Sequence, residues 1–85
     1  MKTLIFTKED EPEQREAKEF GARLEDEGYT VEYVDGDDSV AISQVELYDV
    51  YSYPTFVVIQ DNGAEIECWR GTIPIFGDIK NFLNQ

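Results

Sequence analysis

The stretch TFVVIQDNGAEIECWRG, Thr55 to Gly71, restricts the fold more than any other part of this chain, because it predicts a β-hairpin. Its first part, TFVVIQ, consists mainly of β-branched and aromatic residues, which favour a strand. Asp61-Asn62-Gly63 is typical of the tight turn after such a strand, and Ala64 to Gly71 continues as a second strand. The chain is therefore expected to contain two antiparallel neighbours in a sheet.

Strand and helix patterns alternate upstream of the hairpin. TLIFT, Thr3 to Thr7, is a short apolar run bounded by charges and predicts a buried strand, and Tyr29 to Asp35 predicts another. A helix is expected between them, from about Pro12 to Glu27, because proline suits a first helical turn and Gly28 suits the end. Its apolar face consists of residues at spacings of three and four, which are Ala17, Phe20 and Leu24.

Two further helices complete the predicted order. Ser39 follows the turn Asp35–Asp38 and is the expected cap of an irregular second helix. The residues expected on its inner side are Ile42, Val45 and either Tyr48 or Asp49. The tail from Pro74 to Asn84 predicts a last helix. Its apolar face consists of Ile75, Ile79, Phe82 and Leu83. The order β-α-β-α-β-β-α predicts an α/β fold, with helices on both faces of a four-stranded mixed sheet.

The composition is that of a compact domain with a strong negative charge. Hydrophobic residues make up 41% and aromatic residues 13% of the 85 residues, too much for a disordered chain, and the length predicts one domain over residues 1–85. Seven basic against 19 acidic residues give a formal charge of −12, which disfavours nucleic acids and anionic membranes as partners. No apolar run reaches the roughly 18 residues of a membrane span, and no signal-peptide pattern is present, so the expected location is the cytoplasm.

The segment YDVYSYPTFVV, Tyr48 to Val58, resembles the thioredoxin-family pattern Y-G-[IV]-x-S-[IVY]-P-T-[LF]. The matching residues are Tyr48, Val50, Ser52, Tyr53, Pro54, Thr55 and Phe56. The resemblance implies a thioredoxin-like fold in the compact glutaredoxin size class. It also implies that the peptide bond between Tyr53 and Pro54 is cis.

The N-terminal string IFTK…REAK resembles the glutaredoxin pattern [VI]-Y-[ST]-K-x-x-C-P-Y-C-x-x-A-K, with one departure that concerns the chemistry. Glu11 and Gln14 occupy the positions of the two cysteines, so the segment reads Glu11-Pro12-Glu13-Gln14. Thiol–disulfide exchange requires a thiolate, which neither a carboxylate nor an amide supplies. The oxidoreductase activity of the family is therefore predicted to be absent, with no catalytic residue left at these vestigial positions.

Cys68 is the only cysteine of the chain, so the fold is expected to have no internal disulfide. It alternates in phase with Ile66 on the second hairpin strand, which predicts a packed, structural side chain. The alternative is an enzyme, a glutathione- or thiol-dependent oxidoreductase with a non-standard active site that uses Cys68. Glutathione is disfavoured by the charges of Glu11 and Glu13, although Arg70 is a candidate contact for its carboxylates.

Other chemistries find little support in the sequence, and the resemblance leaves a binding surface. The chain has no histidine, calcium loop or glycine-rich phosphate loop, so no metal and no cofactor is expected. In the family, the residue before the proline offers backbone hydrogen bonds to an extended peptide. The corresponding groove would consist of Glu11 to Gln14, Tyr53, Pro54, Arg70, Gly71 and Thr72. The favoured function is a redox-inactive protein- or peptide-binding or assembly module with a basic or polar partner. The alternatives are a vestigial groove and a self-associating structural domain.

Overall fold

The computed structural model describes all 85 residues and has the predicted element order. Four strands and three α-helices follow one another as β-α-β-α-β-β-α, with a short 3-10 helix, Ser39–Ala41, before the second α-helix. None of the helices combines the length and the apolar character that crossing a bilayer requires. The elements are β1 (Lys2–Thr7), α1 (Gln14–Asp26), β2 (Val31–Asp35), α2 (Ile42–Leu47), β3 (Thr55–Ile59), β4 (Glu65–Arg70) and α3 (Phe76–Leu83).

The four strands form one mixed sheet in the order β2-β1-β3-β4. β1 runs parallel to β2 and antiparallel to β3, and β3 runs antiparallel to β4. The two central strands carry the most apolar sequences, and they are buried throughout from Thr3 to Thr7 and from Thr55 to Ile59. The predicted α/β architecture, a four-stranded mixed sheet with three helices, is confirmed.

Two apolar cores lie on opposite faces of the sheet, because successive residues of a strand point to opposite sides. α2 covers one face, and α1 and α3 together cover the other. The core on the α2 side consists of Leu4, Phe6, Val34, Ala41, Tyr48, Val50, Val57 and Ile59. The core on the side of α1 and α3 consists of Ile5, Ala17, Phe20, Leu24, Phe56, Val58 and Ile79.

The first helix begins at Gln14, two residues after the predicted start at Pro12. The residues before it form a turn, in which the N–H of Glu11 donates to the carbonyl of Lys8 at 3.2 Å and the N–H of Gln14 donates to that of Glu11 at 3.1 Å. Pro12 thus lies in this turn and outside the helix. The end agrees with the prediction, since the helix stops at Asp26 and Gly28 has a φ of +93°, a conformation that glycine adopts readily.

The cap of the second helical segment is Asp38, whereas the sequence indicated Ser39. The Oδ1 of Asp38 accepts a hydrogen bond from the N–H of Val40 at 3.0 Å, and the 3-10 turn begins one residue earlier than a helix capped by Ser39 would. The inner side therefore starts at Ala41, which is buried, while Ile42 is 53% exposed and does not face the sheet as predicted. Val45 and Tyr48 pack inward as expected.

Asp38→Ala is expected to lower the free energy of unfolding by about 0.5–2 kcal/mol, because the first turn loses its side-chain acceptor. Ser39→Ala is expected to change it by less than about 0.5 kcal/mol, because no side-chain hydrogen bond of Ser39 is present to be lost. Asp38→Asn preserves the acceptor and is the matched control. Chemical denaturation of the three variants measures the difference, and a larger loss for Ser39→Ala would contradict the cap assignment.

The last helix begins at Phe76, so its inner side differs from the predicted one by one residue. Ile75 was expected to face the core, but it lies in extended backbone before the helix and is 73% exposed. Pro74 is buried and Phe76 packs against Phe20, with ring centroids 5.2 Å apart. Ile79, by contrast, is fully buried as predicted.

Candidate functional site

The loop before β3 brings together several of the predicted groove residues. The Tyr53–Pro54 peptide bond is cis, as the resemblance implied, and the side chain of Pro54 is fully buried. The carbonyl of Pro54 accepts a hydrogen bond from the N–H of Gly71 at 2.8 Å, and the hydroxyl of Thr55 donates to the carbonyl of Ser52 at 2.7 Å. These two hydrogen bonds anchor the loop on both sides of Tyr53. The second strand of the hairpin ends beside the loop, at the exposed residues Gly71 and Thr72.

Tyr53 has backbone groups without partners and a side chain that is held in place. Neither its N–H nor its carbonyl makes a hydrogen bond within the chain. The half-buried ring lies so close to Gly36 that a Cβ there would be 2.5 Å from it. The ammonium of Lys8 lies 4.8 Å from the centroid of the same tyrosine ring. Held in this way, Tyr53 presents one donor and one acceptor in a fixed orientation.

The contact with Gly36 was not predicted from the sequence. Gly36 lies in the stretch Asp35–Asp38, which reads only as a turn. Its N–H donates to the carbonyl of Thr7 at 2.7 Å, so the turn after β2 is fixed to the end of β1 beneath the tyrosine ring. A glycine at a turn was the one available signal, and it does not indicate which ring approaches it.

The segment Glu11–Gln14 forms the turn in front of α1 and contributes charge and no sulfur. Glu11 and Gln14 are half-buried, and Pro12 and Glu13 are exposed. No hydrogen bond or ion pair joins these four residues to Tyr53 or Pro54. The link is Lys8, whose carbonyl accepts from Glu11 and whose ammonium approaches the ring of Tyr53.

The side chain of Arg70 is hydrogen-bonded to the backbone just after the end of α2. Its Nε donates to the carbonyl of Asp49 at 3.0 Å, and its Nη2 donates to the carbonyl of Tyr48 at 2.8 Å. Carbonyls at the end of a helix lack partners within the helix, so this side chain stabilises the helix end. Glu65 adds a carboxylate 3.8 Å from Nη2. Arg70 thus has a structural use for its charge that the sequence did not indicate.

Cys68 is packed, but on the opposite face of the sheet from Ile66. The register between β3 and β4 shifts at Val58 and Ile59, so that Val58 pairs with Glu67 and Ile59 with Glu65. This bulge places Ile66 against the core of α1 and α3, while Cys68 packs against the core of α2. The predicted phase is wrong for that reason. Burial raises the pKa of the Cys68 thiol to about 11, against which the charge of Arg70 acts only partly.

The native protein is expected to react slowly with thiol reagents. At pH 8, a thiol of pKa about 11 is ionised to about one part in a thousand, compared with about a quarter for an exposed cysteine of pKa about 8.5. We therefore expect Cys68 to be alkylated by iodoacetamide about two orders of magnitude more slowly than in the urea-unfolded chain, with the rate rising until about pH 11. Equal rates in the native and unfolded chains would contradict the burial of the thiol.

No protein-family model matches the chain, and no curated protein sequence matches it. No group of three or more acidic or cysteine side chains is arranged to hold a metal ion.

The candidate site consists of a fixed, unpartnered backbone at Tyr53, an acidic turn before α1 and the exposed residues Gly71 and Thr72. Such a set of groups can form hydrogen bonds and ion pairs with a polypeptide, and the one thiol of the chain, that of Cys68, is half-buried on β4 against the core on the α2 side.

Proposed function

We propose that this chain is a thioredoxin-like domain without thiol chemistry that binds an extended segment of another protein along the Tyr53–Pro54 loop. The bound segment forms strand-type hydrogen bonds with the backbone of Tyr53, and the surrounding side chains set its selectivity. The turn Glu11–Gln14 and the exposed residues Gly71 and Thr72 border the same surface.

The thioredoxin-like part of the proposal is supported by where the structure puts the residues of the two resembling strings. The turn Glu11–Gln14 leads from the end of β1 into α1, and the loop with Pro54 leads directly into β3. β1 and β3 are neighbours at the centre of the sheet, and the end of β1 pairs with the start of β3. The two segments therefore lie at the same end of these central strands. A mixed sheet with helices on both faces agrees with the fold that the resemblance implies.

The observation that carries the binding function is the unpartnered backbone of Tyr53. Backbone groups outside helices and strands commonly find partners within the protein or in water, and the flanking groups of Ser52 and Pro54 do have internal partners. The ring of Tyr53 is fixed by Gly36 and Lys8, so its backbone loses little conformational freedom when a segment binds. This preorganisation favours binding.

The charge around the loop favours a basic segment. Glu9, Asp10, Glu11 and Glu13 follow one another before α1, and none of them takes part in an ion pair. Lys8, the nearest cation, is already shared between Asp37, at 3.8 Å, and the ring of Tyr53. Lysine or arginine in the bound segment would find free carboxylates, while an acidic segment would be repelled.

The test uses synthetic twelve-residue peptides that alternate lysine with threonine, and glutamate-for-lysine versions as the opposite charge. Each peptide is titrated into the protein while the NMR amide chemical shifts are recorded. The basic peptide should shift the amide resonances of Tyr53 and its neighbours, and the acidic peptide should not. We expect Tyr53→Ala to weaken binding about five- to tenfold and Glu13→Lys about three- to tenfold. Tyr51→Ala is the matched control, because that ring is 78% exposed and two residues away. Absence of any shift at Tyr53 would refute the binding function.

A second measurement separates binding from oxidoreductase chemistry. Insulin reduction and hydroxyethyl-disulfide reduction with glutathione should give no turnover above the protein-free rate. The same result is expected for Cys68→Ser. Turnover by the wild type that disappears in Cys68→Ser would replace the binding function with a thiol-dependent enzyme.

A further inference from the structure

The outer edge of β2 has unpaired backbone groups. β2 is the terminal strand of the sheet, and its pairing with β1 uses alternate residues, from the carbonyl of Thr30 to the N–H of Gly36. In a parallel pair, the residues between these turn their N–H and carbonyl groups to the other side. Val31 and Tyr33 therefore direct their backbone groups outward, and no hydrogen bond within the chain occupies them.

A groove of mixed polar and apolar character lies beside this edge. The groove, here named the β2 edge groove, runs between β2 and the start of the second helical segment. Its eight lining residues include Glu32, Val34, Asp35, Asp38, Val40 and Gln44. Val40, which lines this groove, is 83% exposed. An exposed apolar side chain beside an open sheet edge is available to contact a strand that is added there.

The charge of the β2 edge groove is negative and only partly compensated. The chain contains no lysine or arginine between Val31 and Tyr51. Lys2 approaches Glu32 at 3.3 Å, but Asp35 and Asp38 have no ion pair. Their carboxylates accept hydrogen bonds from the N–H groups of Asp37 and Val40 and keep further acceptor capacity.

We propose that the β2 edge groove is a second docking surface, which takes an extended segment with alternating basic and apolar residues from another protein. The segment adds a fifth strand to the sheet through the outward backbone groups of Val31 and Tyr33. Its apolar side chains contact Val40, and its lysine or arginine side chains pair with Asp35 and Asp38. This surface differs from the one at Tyr53 and does not depend on the function proposed there.

A second copy of this chain does not fit the same edge. Two β2 strands placed side by side would bring the acidic side chains of both copies, Glu32 on one face and Asp35 on the other, close to the same seam, where their negative charges repel. The formal charge of −12 adds repulsion between the two molecules. A basic segment removes both penalties.

The experiment measures amide exchange in the presence of a nine-residue, capped peptide that alternates valine with lysine. We expect the amide of Tyr33, which faces outward, to gain at least tenfold protection when the peptide is bound. The amide of Val34, which faces β1, should not gain comparable protection. The glutamate-for-lysine peptide should have no effect, and binding of the lysine peptide should weaken as salt is added.

Asp35→Asn with Asp38→Asn tests the charge while preserving both internal hydrogen bonds. We expect this pair of substitutions to weaken binding about two- to thirtyfold. Asp26→Asn with Asp78→Asn changes the net charge equally on the opposite side of the sheet and should leave binding unchanged. Unchanged Tyr33 exchange, equal weakening in both double variants, or Tyr33 protection through self-association without peptide would overturn the proposal. Shifts at Tyr53 alone would support only the first surface.

Discussion

Phe56→Ala is expected to lower the free energy of unfolding by about 3–5 kcal/mol, the largest loss from any single substitution considered for this protein. Phe56 lies on the central strand β3 and is fully buried. Its ring meets that of Phe20 edge to face, with centroids 5.1 Å apart, so the substitution removes an aromatic contact as well as apolar area. The surrounding strands and helices prevent the cavity from closing.

A loss of this size is a large fraction of the stability expected for the domain. A chain of 85 residues is expected to be stable by roughly 4–13 kcal/mol. Urea unfolding followed by tryptophan fluorescence measures the change, since Trp69 pairs with Phe56 across β3 and β4. Tyr51→Ala removes an exposed aromatic ring and should cost less than about 0.5 kcal/mol. A cost below about 1.5 kcal/mol for Phe56→Ala would show that its ring is not enclosed.

The order of elements could be predicted because each strand and helix carries its own signal. The apolar run of β3 and the turn Asp61–Gly63 are enough to predict the hairpin. The spacing of Ala17, Phe20 and Leu24 is enough to predict the buried face of α1. The exact register of the second helix could not be predicted. Asp38 and Ser39 are both good caps, and only the tertiary position of the turn after β2 selects the aspartate.

Side-chain orientation on β4 illustrates a different limit. The alternation of Ile66 and Cys68 predicts one shared face, but the bulge opposite Ile59 sends the two side chains to opposite cores. A bulge depends on how two distant strands pair, and the sequence of one strand does not contain that information. Arg70 is a similar case, because its partners are the backbone carbonyls of Tyr48 and Asp49 just after α2, and any residue type provides a carbonyl.

The predicted site residues differ in how well the structure brings them together. Pro54 and Gly71 are joined directly by a backbone hydrogen bond, as a shared groove requires. Glu11 reaches the loop only through Lys8. The motif residues can be identified from the sequence alone. The contacts of Gly36 and Lys8 with the ring of Tyr53 cannot, because they depend on packing between three separate loops.

Introducing two cysteines at the turn before α1 is the prediction with the largest expected chemical effect. In a Cys68→Ser background, we expect Glu11→Cys with Gln14→Cys to form one intrachain disulfide. The hydrogen bond from the N–H of Gln14 to the carbonyl of Glu11 closes a four-residue turn, which brings the two Cα atoms within about 7 Å. Disulfides form at Cα separations of about 4.4–6.8 Å, so little backbone movement is needed.

The charge near this turn determines the expected reduction potential. Glu9, Asp10 and Glu13 oppose a thiolate at position 11, and the start of α1 only partly offsets them. A reduced form without a stabilised thiolate favours the disulfide, so the potential should lie near the reducing end of the known dithiol proteins, about −270 mV. Equilibration in dithiothreitol buffers, followed by alkylation and mass measurement, gives the value. The single variants Glu11→Cys and Gln14→Cys cannot form the bond and are the controls. A pair that stays reduced in an oxidising buffer would mean that residues 11 and 14 do not face each other across this turn.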